Sequence, residues 1–214
     1  LATEVAMLKA IEEKGFKPDV TAGLSLGEYG ALAASGVMSA EDVFKVVRKR
    51  GIYMQEAVPN GGAMVAVLGL DTAVIEKICE ETEGFVSIAN YNCPGQIVIT
   101  GEEGAAQAAV EKLVAAGAKR CVRLKVSGPF HSPLLTGAGE KLAAGMEHVT
   151  IGEIRIPYIA NVTADYVTDK AEVKPLLEKQ VSSSVRWQQT VERMIADGVD
   201  TFVEIGPGKT LSGF

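Results

Sequence analysis

Leu1, Val5, Leu8 and Ile11 share one face at helical spacing, so the sequence opens on an amphipathic helix that Gly15 ends. "KPDVTAG" follows as a short buried strand. "LGEYGALAAS" then reads as a helix of small residues, suited to close packing on a sheet. Ser39 with Asp42 forms a capping box for the next helix. That helix carries Val43, Val47, Arg50 and Met54 on one stripe by 4-3-4 spacing. One member of this apolar stripe is an arginine.

A different order begins after "PNGGA". Strand "MVAVLGL", helix "DTAVIEKICEE", strand "FVSIAN", turn "YNCPG", strand "QIVIT", helix "EEGAAQAAVEKLVAAG" and strand "KRCVRLKV" succeed one another. This βαββαβ succession predicts an inserted ferredoxin-like small subdomain over 61–127. Residues 1–60 and 128–214 then make the large subdomain. In the second part, Pro133 fits the first turn of a helix with Ser132 as its cap. A strand "IRIPYIAN", helices around "EVKPLLEKQ" and "RWQQTVERMIADG", and a strand "TFVEIG" follow. Strands alternating with helices predict an α/β large subdomain with a mostly parallel sheet.

With 214 residues, 47% of them hydrophobic, the chain can bury a substantial core. A net charge of -6 disfavours nucleic acid and anionic membrane surfaces as main partners. Cys79, Cys93 and Cys121 show no metal-ligand spacing, and their odd number fits a reduced, cytoplasmic interior. No apolar run is long enough to span a bilayer and no signal peptide is visible. The abrupt start inside a helix and the stop after "GPGKTLSGF" read as an interior segment of a longer protein.

Three residues carry candidate chemistry. Ser25 lies in "GLSLG" between a strand and a helix, the pattern of a nucleophile elbow. The alternative is a serine that only caps the helix. A serine hydroxyl needs a base, and the sequence has two histidines. His148 follows a helix end, as expected of a solvent-facing residue. His131 in "GPFHSP" lies in a loop between a strand and a helix, where catalytic groups gather; a structural histidine is the alternative. Its mid-chain position departs from α/β-hydrolase order, in which the histidine comes last. A buried guanidinium at position 50 needs an anion. That anion is either an internal partner such as Glu28 or a substrate carboxylate gripped bidentately.

Taken together, "GLSLGEYGALAASG", "RKRGIYMQEA", "NCPGQIVITG", "SGPFHSPLL", "VRWQQTV" and "EIGPGKTLSG" resemble, in order and over essentially the whole chain, the malonyl-coenzyme A:acyl-carrier-protein transacylase family of bacterial fatty-acid synthesis. Acyltransferase domains of polyketide synthases share the pattern. The resemblance implies an α/β-hydrolase-like large subdomain with an inserted ferredoxin-like one. It implies a ping-pong transfer of malonyl from malonyl-coenzyme A, through an ester on Ser25, to the phosphopantetheine thiol of acyl carrier protein. His131 is then the general base and acid, oriented by the backbone carbonyl of Gln180. The Leu26 backbone N–H is one oxyanion donor, Arg50 pairs with the malonyl carboxylate, Phe130 leaves little room for an α-methyl group, and Asn92 lies near the cleft. No metal or tightly bound cofactor is implied. Two departures stand out. Leu24 occupies a position that is usually histidine, and the family's amino-terminal "GQG" segment and last helix have no counterpart. Without the second oxyanion donor of that segment, a loss of about 3 kcal/mol of transition-state stabilisation is expected. The readings that compete with transfer are a serine thioesterase or esterase, and a non-catalytic module that binds carrier protein.

Overall fold

Helix α1 (Ala2–Glu12) buries Val5 and Leu8, leaving Leu1 and Ile11 partly covered. The computed structural model describes residues 1–126 and 128–214; the expected subdomain boundary at Ser127 lies outside the described residues. Helices α2 (Leu26–Ala34) and α3 (Ala40–Ala57) follow. Ser39 caps α3, its Oγ accepting the Asp42 N–H at 3.1 Å, and the Asp42 carboxylate accepts the Ser39 hydroxyl at 2.8 Å. The buried stripe of α3 is Val43, Val46, Arg50 and Met54, with Val47 only partly buried beside it, so Arg50 does face the interior.

Strands β1 (Gly62–Leu68), β2 (Val86–Cys93), β3 (Gln96–Glu102) and β4 (Arg120–Arg123) form an antiparallel sheet in the order β2-β3-β1-β4. Helix α4 (Thr72–Glu80) joins β1 to β2, and α5 (Glu103–Ala115) joins β3 to β4. The side-chain period of two sorts the residues. Val65, Val67, Ile97 and Ile99 pack on Ile75 and Leu113 of the two helices, while Met64, Ala66 and Val98 pack on the other face with Ala89 and Phe130. Both faces are therefore buried, and Ile97 or Leu113 cut to alanine costs about 2–5 kcal/mol. The edge of β2 is pinned to the rest of the molecule by main-chain bonds. Tyr91 N–H donates to Val185 C=O at 2.9 Å, and Val185 N–H donates to Ala89 C=O at 2.8 Å.

Helices α6 (Thr136–Gly145), α7 (Val173–Ser182) and α8 (Trp187–Ala196) complete the α/β fold. A second core, built on Tyr29, Leu32, Val46, Leu142, Tyr158 and Leu177, joins α2, α3, α6 and α7.

Several local expectations change. The turn assigned to "YNCPG" shrinks to Pro94 and Gly95, because irregularities between Ile88 and Asn90 and between Tyr91 and Cys93 let β2 run on to Cys93. Ser132 does stand at the N-cap position of a short 3-10 helix, Pro133–Leu135, with Pro133 in its first turn, but its side chain makes no capping bond; the hydroxyl donates to the Pro129 carbonyl at 2.6 Å and closes the turn that carries Phe130 and His131. The parallel sheet expected from "KPDVTAG", "IRIPYIAN" and "TFVEIG" reduces, among the described residues, to one parallel bridge between Thr21 and Tyr158. Pro157 accepts the Thr21 N–H at 2.9 Å but has no N–H of its own to extend the ladder. Residues 201–205 are irregular, with Phe202 and Val203 about half exposed.

Candidate active site

Gly23 begins the turn that presents Ser25. A Cβ there would lie 2.1 Å from the Gly27 carbonyl, so only glycine lets α2 start this close to the preceding chain. Gly27 itself has open space around its Cα and supplies no such contact. Ser25 takes φ 53° and ψ -104°, a backbone state that an L-residue holds at a cost of about 1–3 kcal/mol. Its side chain makes no capping bond to α2. The hydroxyl turns instead to His131, with Oγ 2.7 Å from Nε2.

The proton positions on His131 follow from its partners. Nδ1 lies 2.9 Å from the Gln180 main-chain oxygen, which can only accept. Nδ1 therefore carries the hydrogen, Nε2 is bare, and the Ser25 O–H donates to it. Burial, with the charge of Arg50 adding to it, lowers the His131 pKa to about 4, against the raising effect of main-chain bonds to Gln180 and Ser183. The imidazole is thus neutral at pH 7 and free to accept a proton. His131 also sits at positive φ, 58°, on the turn closed by Ser132.

Arg50 reaches the same oxygen, Nη2 donating to Ser25 Oγ at 3.0 Å. Its guanidinium lies 5.6 Å from the centroid of the Tyr29 ring, a cation–π contact. Burial lowers its pKa, and it remains a cation. Nε is buried with no hydrogen-bond partner. No salt bridge joins Arg50 to a carboxylate among the described residues, so the internal ion pair with Glu28 does not form. A buried cation with no carboxylate at salt-bridge distance among the described residues is costly, even with the charge of Glu28 acting on it from farther away.

The Leu26 N–H donates to no group among the described residues and lies at the amino end of α2, where the helix dipole favours an anion. Phe130, next to His131, packs between the helical core and the outer face of the sheet. Asn92 is buried in β2 with its Oδ1 unpaired, and it shares the wall of a large groove with Asn90, Leu24 and Leu26. The structure thus gathers Ser25, His131, Arg50 and the Gln180 carbonyl into direct contact. Phe130 abuts them, and Asn92 sits on the groove beside them. His148 is exposed beyond α6 and takes no part.

The profile of the acyl transferase domain family matches residues 1–212. The chain belongs to the acyl transferase domain family. It is 48% identical over 217 residues to the malonyl CoA-acyl carrier protein transacylase of Bacillus subtilis, covering all of this chain and 68% of that relative. The solved acyl carrier protein S-malonyltransferase from Vibrio cholerae superposes with a TM-score of 0.96 at 42% identity, over 99% of this chain and 71% of that one. A type II polyketide-synthase acyl-carrier protein in complex with its malonyl-transacylase matches with a TM-score of 0.96 at 40% identity, over 99% of this chain and 70% of that chain.

Around the reactive atoms of this acyl transferase domain lie further buried polar groups, of which the sequence pattern does not single out Asn161 or the side-chain role of Gln180. Asn161 and the side chain of Gln180 are fully buried, and Glu28 is 1% exposed. Burial raises the Glu28 carboxyl to about 7, against hydrogen bonds from Gln180 and Asn161 and the charge of Arg50. The one sequence signal for Asn161 is its place at the end of the run "PYIA", at the carboxyl end of an expected strand, where loops often carry functional residues.

Proposed function

We propose that this acyl transferase domain moves a malonyl group from malonyl-coenzyme A to the phosphopantetheine thiol of acyl carrier protein, as a step of fatty-acid biosynthesis. The observation that carries the reading is the buried Arg50 guanidinium, with no carboxylate at salt-bridge distance among the described residues, beside a serine already bonded to a neutral histidine. A malonyl half-thioester brings its own carboxylate to that cation.

The chemistry runs in two half-reactions. Ser25 Oγ attacks the thioester carbonyl as its proton passes to His131 Nε2. The Leu26 N–H faces the developing oxyanion. The C–S bond breaks, and His131 gives that proton to the departing sulfur, so coenzyme A leaves as the thiol and Nε2 is bare again. In the second half, the carrier-protein thiol gives its proton to His131 and attacks the serine ester. The C–O bond breaks and Ser25 Oγ recovers the proton. The Gln180 carbonyl keeps the imidazole in the required tautomer throughout. Phe130 narrows the space beside the acyl α-carbon, and Asn92, on the groove wall, lies along the path of the incoming pantetheine arm. The antiparallel sheet and its two helices, 61–127, form in this reading a ferredoxin-like subdomain inserted into an α/β-hydrolase-like one made of 1–60 and 128–214. No helix among the described residues is long and apolar enough to cross a membrane. The three free cysteines suit a cytoplasmic setting.

A partition experiment tests the proposal. Chain loaded with radiolabelled malonyl-coenzyme A is split between buffer alone and buffer with phosphopantetheinylated acyl carrier protein. Label is expected to move to carrier protein much faster than it is released as free malonate. Release to water at the same rate in both arms would mean a hydrolase.

A further inference from the structure

The strained backbone at Ser25 must be held by something. The Asn161 carboxamide grips it on both sides of the turn. Oδ1 accepts the Ser25 N–H at 2.6 Å, and Nδ2 donates to the Gly23 carbonyl at 2.7 Å. A carboxamide is the one small uncharged side chain that offers an acceptor and a donor side by side, as a neighbouring strand would. Asn161 is in turn fixed through its main chain. Its C=O accepts the Arg186 N–H at 3.0 Å, and its N–H donates to Glu28 Oε2 at 3.1 Å.

That same Glu28 oxygen accepts Gln180 Nε2 at 2.7 Å, and Gln180 Nε2 also reaches the Ser25 carbonyl at 3.0 Å. Both peptide groups of the serine are thus held by carboxamides, and Glu28 Oε2 links the two residues by accepting the Gln180 side-chain amide and the Asn161 main-chain N–H. The main chain of Gln180 receives the His131 ring. One buried network therefore ties the frame of the hydroxyl to the frame of the imidazole. None of Asn161, Glu28 or Gln180 is exposed, so none presents a side chain to an incoming acyl group.

We propose that Asn161 is a positioning residue for the acylation step, its carboxamide clamping Gly23 and Ser25 and its link through Glu28 to Gln180 keeping the Ser25 hydroxyl in register with His131. The proposal rests on the reading of Ser25 as the acyl acceptor. Because Asn161 does not meet the substrate, its loss should slow the chemical step and leave substrate binding alone.

The test is the rate of malonyl-ester formation on the parent chain and on Asn161→Ala, followed by rapid quench and mass spectrometry over a range of malonyl-coenzyme A concentrations. Rates are scaled to the final amount of ester, which removes any difference in folded fraction. Misplacement of a nucleophile by a fraction of an ångström to one ångström costs up to about a hundredfold, so a fall of about thirtyfold in the saturating rate is expected, with half-saturation moved by less than about twofold. A saturating rate within about threefold of the parent, or a loss seen only in half-saturation, would overturn the proposal. If Asn161→Ala does not fold, Asn161→Asp decides, since it keeps the acceptor for the Ser25 N–H and loses the donor to Gly23. A fall of about fivefold or more is then expected, and the parental rate overturns the proposal. Absence of any ester on the parent chain would overturn the functional reading, and the proposal with it.

Discussion

Arg50→Ala separates the two things a buried arginine can do at this site. Its Nη2 donates to Ser25 Oγ, and its stem fills space on the inner stripe of α3. Removing it therefore disturbs the nucleophile and opens a cavity, whatever acyl group arrives. A malonyl substrate loses something more, the fork for its free carboxylate. Hydrogen bonds to charged groups contribute about 1.5–3 kcal/mol each, so two at the low end give about 3 kcal/mol, or about 150-fold. The disturbance common to all substrates cancels in a ratio. The assay is kcat/KM for malonyl-coenzyme A and for acetyl-coenzyme A, on the parent and on Arg50→Ala, with carrier protein saturating. The malonyl-to-acetyl ratio is expected to fall by about 150-fold. An unchanged ratio would refute the carboxylate role, however large the loss for both substrates. The same variant carries a second signature. The Arg50 charge helps to lower the His131 pKa, so its removal should move the acid limb of the pH–rate profile upward from about 4.

His131→Ala should abolish ester formation on Ser25 while the melting transition remains, and unchanged acylation would exclude His131 as the base. Stability against pH tests the two buried titrating groups through their opposite signs. The folded Glu28 pKa is raised from 4.5 to about 7, so its contribution is full below 4.5 and is lost as pH rises through about 7; the folded His131 pKa is lowered from 6.5 to about 4, so its contribution is lost as pH falls from 6.5 toward 4. Each shift corresponds to on the order of 3 kcal/mol. Between pH 6.5 and 4.5 the two offset in the parent, whereas Glu28→Gln should lose stability on acidification, as read from urea midpoints; matching profiles would contradict the assignment. Gly23→Ala should destabilise by at least about 1–3 kcal/mol, because its Cβ meets backbone at 2.1 Å, while Gly27→Ala should be neutral or stabilising by up to about 1 kcal/mol.

What the sequence made legible was local. Spacing alone put Arg50 on a buried stripe, since a 3.6-residue period assigns a face without knowing the partner. The flanks of Ser25 announced a strand–turn–helix, and the short apolar runs in "MVAVL" and "QIVIT" announced strands. The resemblance added roles that no periodicity encodes, such as a main-chain carbonyl at Gln180. The rest depends on contacts between distant segments. Asn161 reaches Ser25 across 136 positions, and Gln180 reaches Glu28 across 152. An asparagine at the end of an apolar run looks the same whether it clamps an elbow or starts a turn. Residues 201–205 read as a strand because "TFVEI" has the composition of one, yet a strand also needs a neighbour to pair with. The length of β2 was hidden for a related reason. "YNC" looks like turn chemistry, and only the irregular pairing with β3 keeps it in the sheet.

The central claim is that Ser25 carries malonyl between two thiols. It is tested most directly by incubating the chain with malonyl-coenzyme A, quenching in acid, and mapping the modified peptide by tandem mass spectrometry, before and after a chase with phosphopantetheinylated carrier protein. The expected result is a malonyl ester on Ser25 that disappears in the chase as malonyl-carrier protein accumulates. Malonyl-carrier protein formed with no ester on Ser25 at any time point would contradict it.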